Sequence, residues 1–160
     1  MKHIVGVADM KISGVAGDVL VTHALGSCLG VAVYDPVAVV GGLLHVMMPQ
    51  ASINPDKAQA NPFMFVDSGI PAFFREVYAA GGVKGRCLVI VAGGSNVHGG
   101  DNDSFAIGKR NYIMLRRLLW KNGVLIKAED VGGTIPRTMY LEIGTGQIRV
   151  VSAGIERQLQ

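Results

Sequence analysis

Two side chains in this sequence are placed as acyl-transfer chemistry would need them. Cys28 closes the segment Val21-Thr22-His23-Ala24-Leu25-Gly26-Ser27-Cys28, directly after a glycine-containing turn at the entrance to an apolar strand. A thiol at such a place sits at a pocket rim, where backbone N–H groups around Ser27 and Cys28 can face the oxygen of a reacting carbonyl. A free thiol is only about 3% ionised at neutral pH, so a nucleophilic cysteine needs an imidazole beside it. His45 interrupts the apolar run GGLLHVMMP, and His23 lies five residues before the cysteine. Spacing alone does not choose between them, because catalytic Cys and His meet in space. The plainer reading makes Cys28 a small buried hydrophobe and His45 a neutral core histidine. Cys87, among large apolar neighbours in RCLVIV, reads as structural.

A second polar constellation lies in AGGSNVHGGDNDS, residues 92–104. Its glycines, with His98, Asp101 and Asp103, suggest a phosphate cradle or a divalent-ion site. It lacks both the Lys-Ser/Thr of a P-loop and the GxGxxG spacing. The expectation is a loop rimming the pocket, with Gly26, Gly93, Gly94 and Ser95 as rim residues and no metal. Lys109, Arg110, Arg116, Arg117 and Lys121 read as the solvated face of a helix rather than a nucleic-acid stripe, which would need more cations and interleaved aromatics.

The elements that must hold these groups are short and separated by glycine. Strands are expected at Ile4–Ala8, Val19–His23, Leu29–Tyr34, Val39–Met48, Arg86–Ala92, Val124–Lys127, Thr138–Ile143 and Gln147–Ser152. The last two form a hairpin across Gly144–Gly146. Leu29–Tyr34 is apolar on both faces, which marks a central strand. One helix is expected to start at Asp67 or Ser68, with Pro71 in its first turn, and to end at Gly81. A second spans Ser104–Asn122. Gln50–Pro62 reads as a structureless insertion. The sum is an α+β layered sandwich of mostly antiparallel or mixed sheets with two main helices, in a single domain over residues 1–160.

The 160 residues are 49% apolar and 17% charged, with mean hydropathy +0.36 and formal net charge +3. That excludes a disordered chain. The longest apolar run, Val37–Met48, is too short to cross a bilayer, so no membrane insertion is expected. The opening residues lack the apolar core of an export signal, so a cytoplasmic protein with reduced thiols is expected.

Taken in order, VGVADMKIS, GDVLVTHALGSCLGVAVYDP, GGLLHVMMP, IGKRN at 107–111, AEDVGG at 128–133 and Arg137-Thr138 resemble the CheD family of chemoreceptor glutamine deamidases, from about residue 4 to 151. The resemblance implies a Cys–His–Thr site similar to that of the cytotoxic necrotizing factor deamidases, and a matching fold. Cys28 would be the nucleophile, His45 the general base and Thr22 the group orienting the imidazole; His23 has no counterpart. The implied reaction converts glutamine side chains of methyl-accepting chemotaxis receptors to glutamate through a thioester, without cofactor, and extends to glutamyl methyl esters. The receptors and a CheC-type phosphatase are the implied partners. A binding regulator of CheC and receptors, without relevant turnover, is the alternative. The sequence departs from the family pattern at Pro136, at Ala92 and in a longer, more acidic 95–104 loop.

Overall fold

A computed structural model describes residues 1–96 and 106–160. The 92–104 loop's His98, Asp101 and Asp103 lie outside the described residues. Two five-stranded sheets are stacked, with two long helices on the outer face of one of them. The first sheet runs β1-β3-β8-β9-β10, comprising Lys2–Ile4, Val19–Leu25, Arg137–Glu142, Ile148–Ser152 and Ile155–Gln158. The second runs β2-β5-β4-β6-β7, comprising Asp9–Ser13, Val40–Val46, Leu29–Asp35, Leu88–Gly93 and Ala128–Val131. Among the described strands, β1–β3 and β6–β7 pair in parallel, and the other pairings within the two sheets are antiparallel. The mixed α+β expectation therefore holds.

Strand β4 is central and buried on both faces, as its unbroken apolar run requires. Leu29, Val31 and Val33 join Leu44, Val46, Phe73, Val77, Leu115 and Leu119 in the core under helices α2 (Val66–Ala79) and α3 (Ile107–Lys121). The alternate residues Ala32 and Tyr34 face the other way. They pack with Leu20, Leu25, Leu43, Met139, Leu141 and Ile148 between the sheets. The Tyr34 hydroxyl donates to the Ile143 carbonyl (2.7 Å), tying the two layers together.

Several elements differ from expectation. Of the strand expected at Ile4–Ala8, only Ile4 lies in a strand, at the end of β1; residues 5–8 cross between the sheets through a turn at Val7-Ala8 and lead into β2, which belongs to the other sheet. Gln50–Pro62 is ordered. A 3₁₀ turn at Ala51–Ile53 leads into a six-residue helix α1 (Pro55–Ala60), which the Asn54 side chain caps by accepting from the Lys57 N–H. A second 3₁₀ turn, Pro62–Met64, follows, with the Asn61 side chain accepting from the Phe63 N–H. Helix α2 begins at Val66, anchored by its N–H on the Met48 carbonyl, so neither Asp67 nor Ser68 caps it and Pro71 lies beyond its first turn. Those two side chains instead bond to the Ala51 N–H and the Pro62 carbonyl, fastening the 50–64 segment down. Val124–Lys127 is a connection whose last N–H, that of Lys127, donates to the Val89 carbonyl of β6 (2.9 Å), and the strand itself begins at Ala128. Strand β10 is exposed throughout, with no alternation to announce it.

Candidate active site

The turn Gly26–Cys28 joins β3 of the first sheet to β4 of the second, so the chain changes layers immediately before the cysteine. Strand β3 ends irregularly. Thr22 pairs with Met139 and Leu25 with Arg137, so His23 and Ala24 together oppose Thr138 alone. This bulge, with Ala24 at a positive φ of 58°, brings both Thr22 and Leu25 to the buried side. It also turns His23 into solvent, where its Nδ1 lies 3.5 Å from the Thr138 hydroxyl.

His45 lies on β5, opposite Gly30 in the ladder, and its ring is turned toward the first sheet. Thr22 Oγ1 is 2.7 Å from His45 Nδ1 and 2.8 Å from the Val5 carbonyl oxygen. A hydroxyl has one proton, and the carbonyl can only accept. Thr22 therefore donates to Val5 and accepts from the ring, which assigns the proton to Nδ1 and leaves Nε2 with its lone pair. That Nε2 is buried and without a hydrogen-bond partner among the described residues. Cys28 lies in the turn two positions before Gly30, and it packs against the cluster between the sheets, the side to which the His45 ring is turned. Gly30, between them in sequence, leaves its space to Leu25 and Met139, whose side chains would lie 2.8 and 3.0 Å from a Cβ there.

Electrostatically, the pair is neutral at rest. Burial pushes the His45 pKa down from 6.5 to about 4. Burial also raises the Cys28 thiol above its ordinary value, outweighing the opposing effect of the cysteine's own backbone N–H. The arrangement suits a thiol that loses its proton to the imidazole as it attacks, rather than a standing thiolate–imidazolium pair.

The turn is held from three sides. Ser95 donates to the Gly26 carbonyl through both its N–H and its hydroxyl, each at 2.8 Å. The Gly94 N–H donates to the Cys28 carbonyl at 2.9 Å. Asn111 on α3, fully buried, donates through Nδ2 to the Ser27 and Met47 carbonyls, both at 2.9 Å. Gly93 approaches so closely that a Cβ would sit 2.2 Å from the Cys28 carbonyl oxygen, and its φ is +105°. Gly93, Gly94 and Ser95, expected at the rim of the pocket, are buried beneath the cysteine turn, and Gly26 lies in the turn itself. Two residues that the sequence analysis gives no role brace the site. Asn111 is the one polar side chain on the buried face of α3, and that is its sequence signal. Arg137, also buried, donates to the Gly93 carbonyl and pairs with Asp130, both at 3.3 Å. No cluster of three or more metal-ligating side chains occurs among the described residues, and no described helix is long and apolar enough to cross a membrane.

A thiol and a buried imidazole oriented by a hydroxyl, mounted where two stacked sheets meet, define a candidate cysteine-dependent acyl-transfer site on an α+β scaffold. The family model described as CheD chemotactic sensory transduction matches residues 47–152. A relative from Syntrophus aciditrophicus, named a probable chemoreceptor glutamine deamidase, is 48% identical over 151 residues, covering 94% of each chain. Solibacter usitatus has a relative of the same name, 44% identical over 98% of this chain and 92% of its own. One from the archaeon Pyrococcus abyssi is 37% identical over 91% and 88%. The chain belongs to the CheD chemotactic sensory transduction family.

Proposed function

We propose that this protein is a protein-glutamine deamidase that converts glutamine side chains of methyl-accepting chemotaxis receptors to glutamate, with Cys28 as nucleophile, His45 as base and Thr22 as the group that orients the ring. The names of its relatives supply the substrate class. The Thr22–His45 hydrogen bond carries the mechanistic part, since it leaves a bare, buried Nε2 on the inter-sheet side to which Cys28 also packs.

In the first half-reaction, the Cys28 proton moves to His45 Nε2 as sulfur attacks the glutamine amide carbon. The oxyanion that forms is held by the N–H groups of Ser27 and Cys28, to which no carbonyl among the described residues is bonded. Collapse breaks the C–N bond, the imidazolium proton leaves with the nitrogen as ammonia, and a thioester remains. In the second half, water gives a proton to Nε2 and its oxygen attacks the thioester. Glutamate is released and the proton returns to sulfur. A glutamyl methyl ester would enter the same cycle with methanol as the leaving group. No cofactor takes part in this scheme.

The same reading makes residues 1–160 one unit with a fold like that of the cytotoxic necrotizing factor deamidases, working in the cytoplasm where receptor tails lie, with a CheC-type phosphatase as a competing partner. The test is mass spectrometry of a purified receptor cytoplasmic fragment, seeking the roughly one-dalton gain per converted glutamine. Cys28→Ala and His45→Ala should abolish the gain, and His23→Ala should retain most of it. Undiminished conversion by Cys28→Ala would refute the mechanism. Receptor binding without conversion by the native protein would favour the non-catalytic regulator.

A further inference from the structure

Asn111 uses one half of its amide and leaves the other idle. The side chain is fully buried on the face of α3 that packs against the second sheet. Its Nδ2 donates to the Ser27 carbonyl and to the Met47 carbonyl, each at 2.9 Å. Its Oδ1 is buried with no hydrogen-bond partner among the described residues. The opposite orientation would set an oxygen against two carbonyl oxygens, so the two acceptors hold the amide this way round. Leaving a buried acceptor without a partner is costly, and here the groups that benefit are the two carbonyls.

Both carbonyls bear on the thiol. The Ser27 C=O belongs to the same peptide unit as the Cys28 N–H, and that peptide is trans. In a planar trans peptide the C=O and the N–H point in opposite directions. Asn111 draws the carbonyl toward α3, which covers the outer face of the second sheet. The Cys28 N–H is therefore turned the other way, toward the space between the sheets where Cys28 packs and to which the His45 ring is turned. No carbonyl among the described residues takes that N–H. The second bond supplies the point of reference. Met47 lies directly beyond β5, two residues after His45. One nitrogen thus ties the peptide that carries the donor to the strand that carries the imidazole.

We propose that Asn111 is a positioning residue for deamidation, holding the Ser27–Cys28 peptide so that the Cys28 N–H meets the oxyanion. This inference rests on the reading of Cys28 as the nucleophile of a protein-glutamine deamidase. When sulfur bonds to the amide carbon, the π pair of the C=O moves onto oxygen and the thiol proton passes to His45 Nε2. A donor fixed in place before the attack stabilises that charge without reorganising. Asn111 acts through the peptide and not on the substrate.

Two reactions of Cys28 separate this role from a purely structural one. Acylation by p-nitrophenyl acetate passes through a tetrahedral oxyanion before p-nitrophenolate leaves. Alkylation by iodoacetamide displaces iodide at carbon and puts no charge on a carbonyl oxygen. Asn111→Leu keeps the branched shape and removes both donors. Asn111→Asp also keeps the shape, and burial holds its carboxyl protonated, able to donate one bond. Release of p-nitrophenolate above that of Cys28→Ala should fall by about 10- to 100-fold in Asn111→Leu and by less in Asn111→Asp. Alkylation at Cys28, followed by peptide mass, should stay within about threefold of native in both. With a purified receptor cytoplasmic fragment, kcat should fall by a similar factor while KM stays within about twofold. Equal losses in acylation and alkylation, acylation at the native rate, or failure of both variants to fold would overturn the assignment. If the native protein converts no glutamine in the fragment, the functional reading fails separately. The ratio of acylation to alkylation, which needs no receptor, then still decides the role of Asn111.

Discussion

At the scale of single residues, the proposed chemistry depends on one tautomer. Thr22 has a single hydroxyl proton and directs it to the Val5 carbonyl, which leaves it an acceptor toward His45. Thr22→Val keeps the volume but leaves Nδ1–H without an acceptor in a buried site, so the ring is free to take the other tautomer or turn away. We expect kcat to fall by about 10- to 100-fold with KM largely kept, whereas Thr22→Ser should stay within several-fold of native. Steady-state kinetics on the receptor fragment read the split. A Thr22→Val protein with native kcat would remove the threonine from the mechanism. In the sequence, His45 was legible as a candidate because it breaks an apolar run, yet so was His23, five residues from the thiol. What separates them is the bulge after Thr22, and a bulge leaves no mark in residue order. The role of Asn111 was invisible for a related reason. Its partners, Ser27 and Met47, are carbonyls, and any residue type supplies a carbonyl.

At the scale of elements, the cysteine turn is braced by the end of β6 and the start of α3. Gly93 makes this bracing specific, since an added methyl would overlap the Cys28 carbonyl and force a side chain into a positive φ. Gly93→Ala should destabilise the protein by about 2–4 kcal/mol and move the turn as well. Turnover should therefore fall further than the folded fraction, which denaturant titration and activity on the same sample would compare. Proportional losses would show that the turn holds its shape by other means. Strands β4, β8 and β9 were readable because burial on two faces, or alternation around a glycine turn, writes itself into apolar periodicity. The 50–64 segment was not, because its order comes from Asn54, Asn61, Asp67 and Ser68 bonding to backbone groups rather than from any repeating pattern. The same limit hid β10, whose four residues are all exposed.

At the scale of the whole molecule, acid should loosen the structure in two stages. His45 is held neutral by burial, with a pKa near 4 against 6.5 unfolded, so the unfolded chain binds the extra proton first as pH falls. Stability is full above about pH 6.5 and declines toward pH 4, by about 3 kcal/mol if this group acts alone. Asp18 and Asp35 are each lowered to about 2. Asp18 is held down chiefly by Ser13, and Asp35 by Arg86 and three backbone N–H groups against the opposing effect of burial. Their contributions are present above about 3.8 and disappear only below it. Denaturant titrations at pH 7, 5 and 4 should show the first stage in the native protein and its loss in His45→Gln; an identical decline in both would assign it to other groups.

The hydroxyl that steadies the imidazole belongs to one sheet, whereas the ring and the strand that the thiol introduces belong to the other. Neither layer carries a working set alone. A nascent chain, a half-docked intermediate or a molecule with its layers slipped by one rung holds only an unremarkable sulfhydryl, harmless to the amides crowding around it. Under the mechanism proposed above, hydrolytic competence emerges with the final docking of the layers, and the catalyst switches itself on only once it is finished.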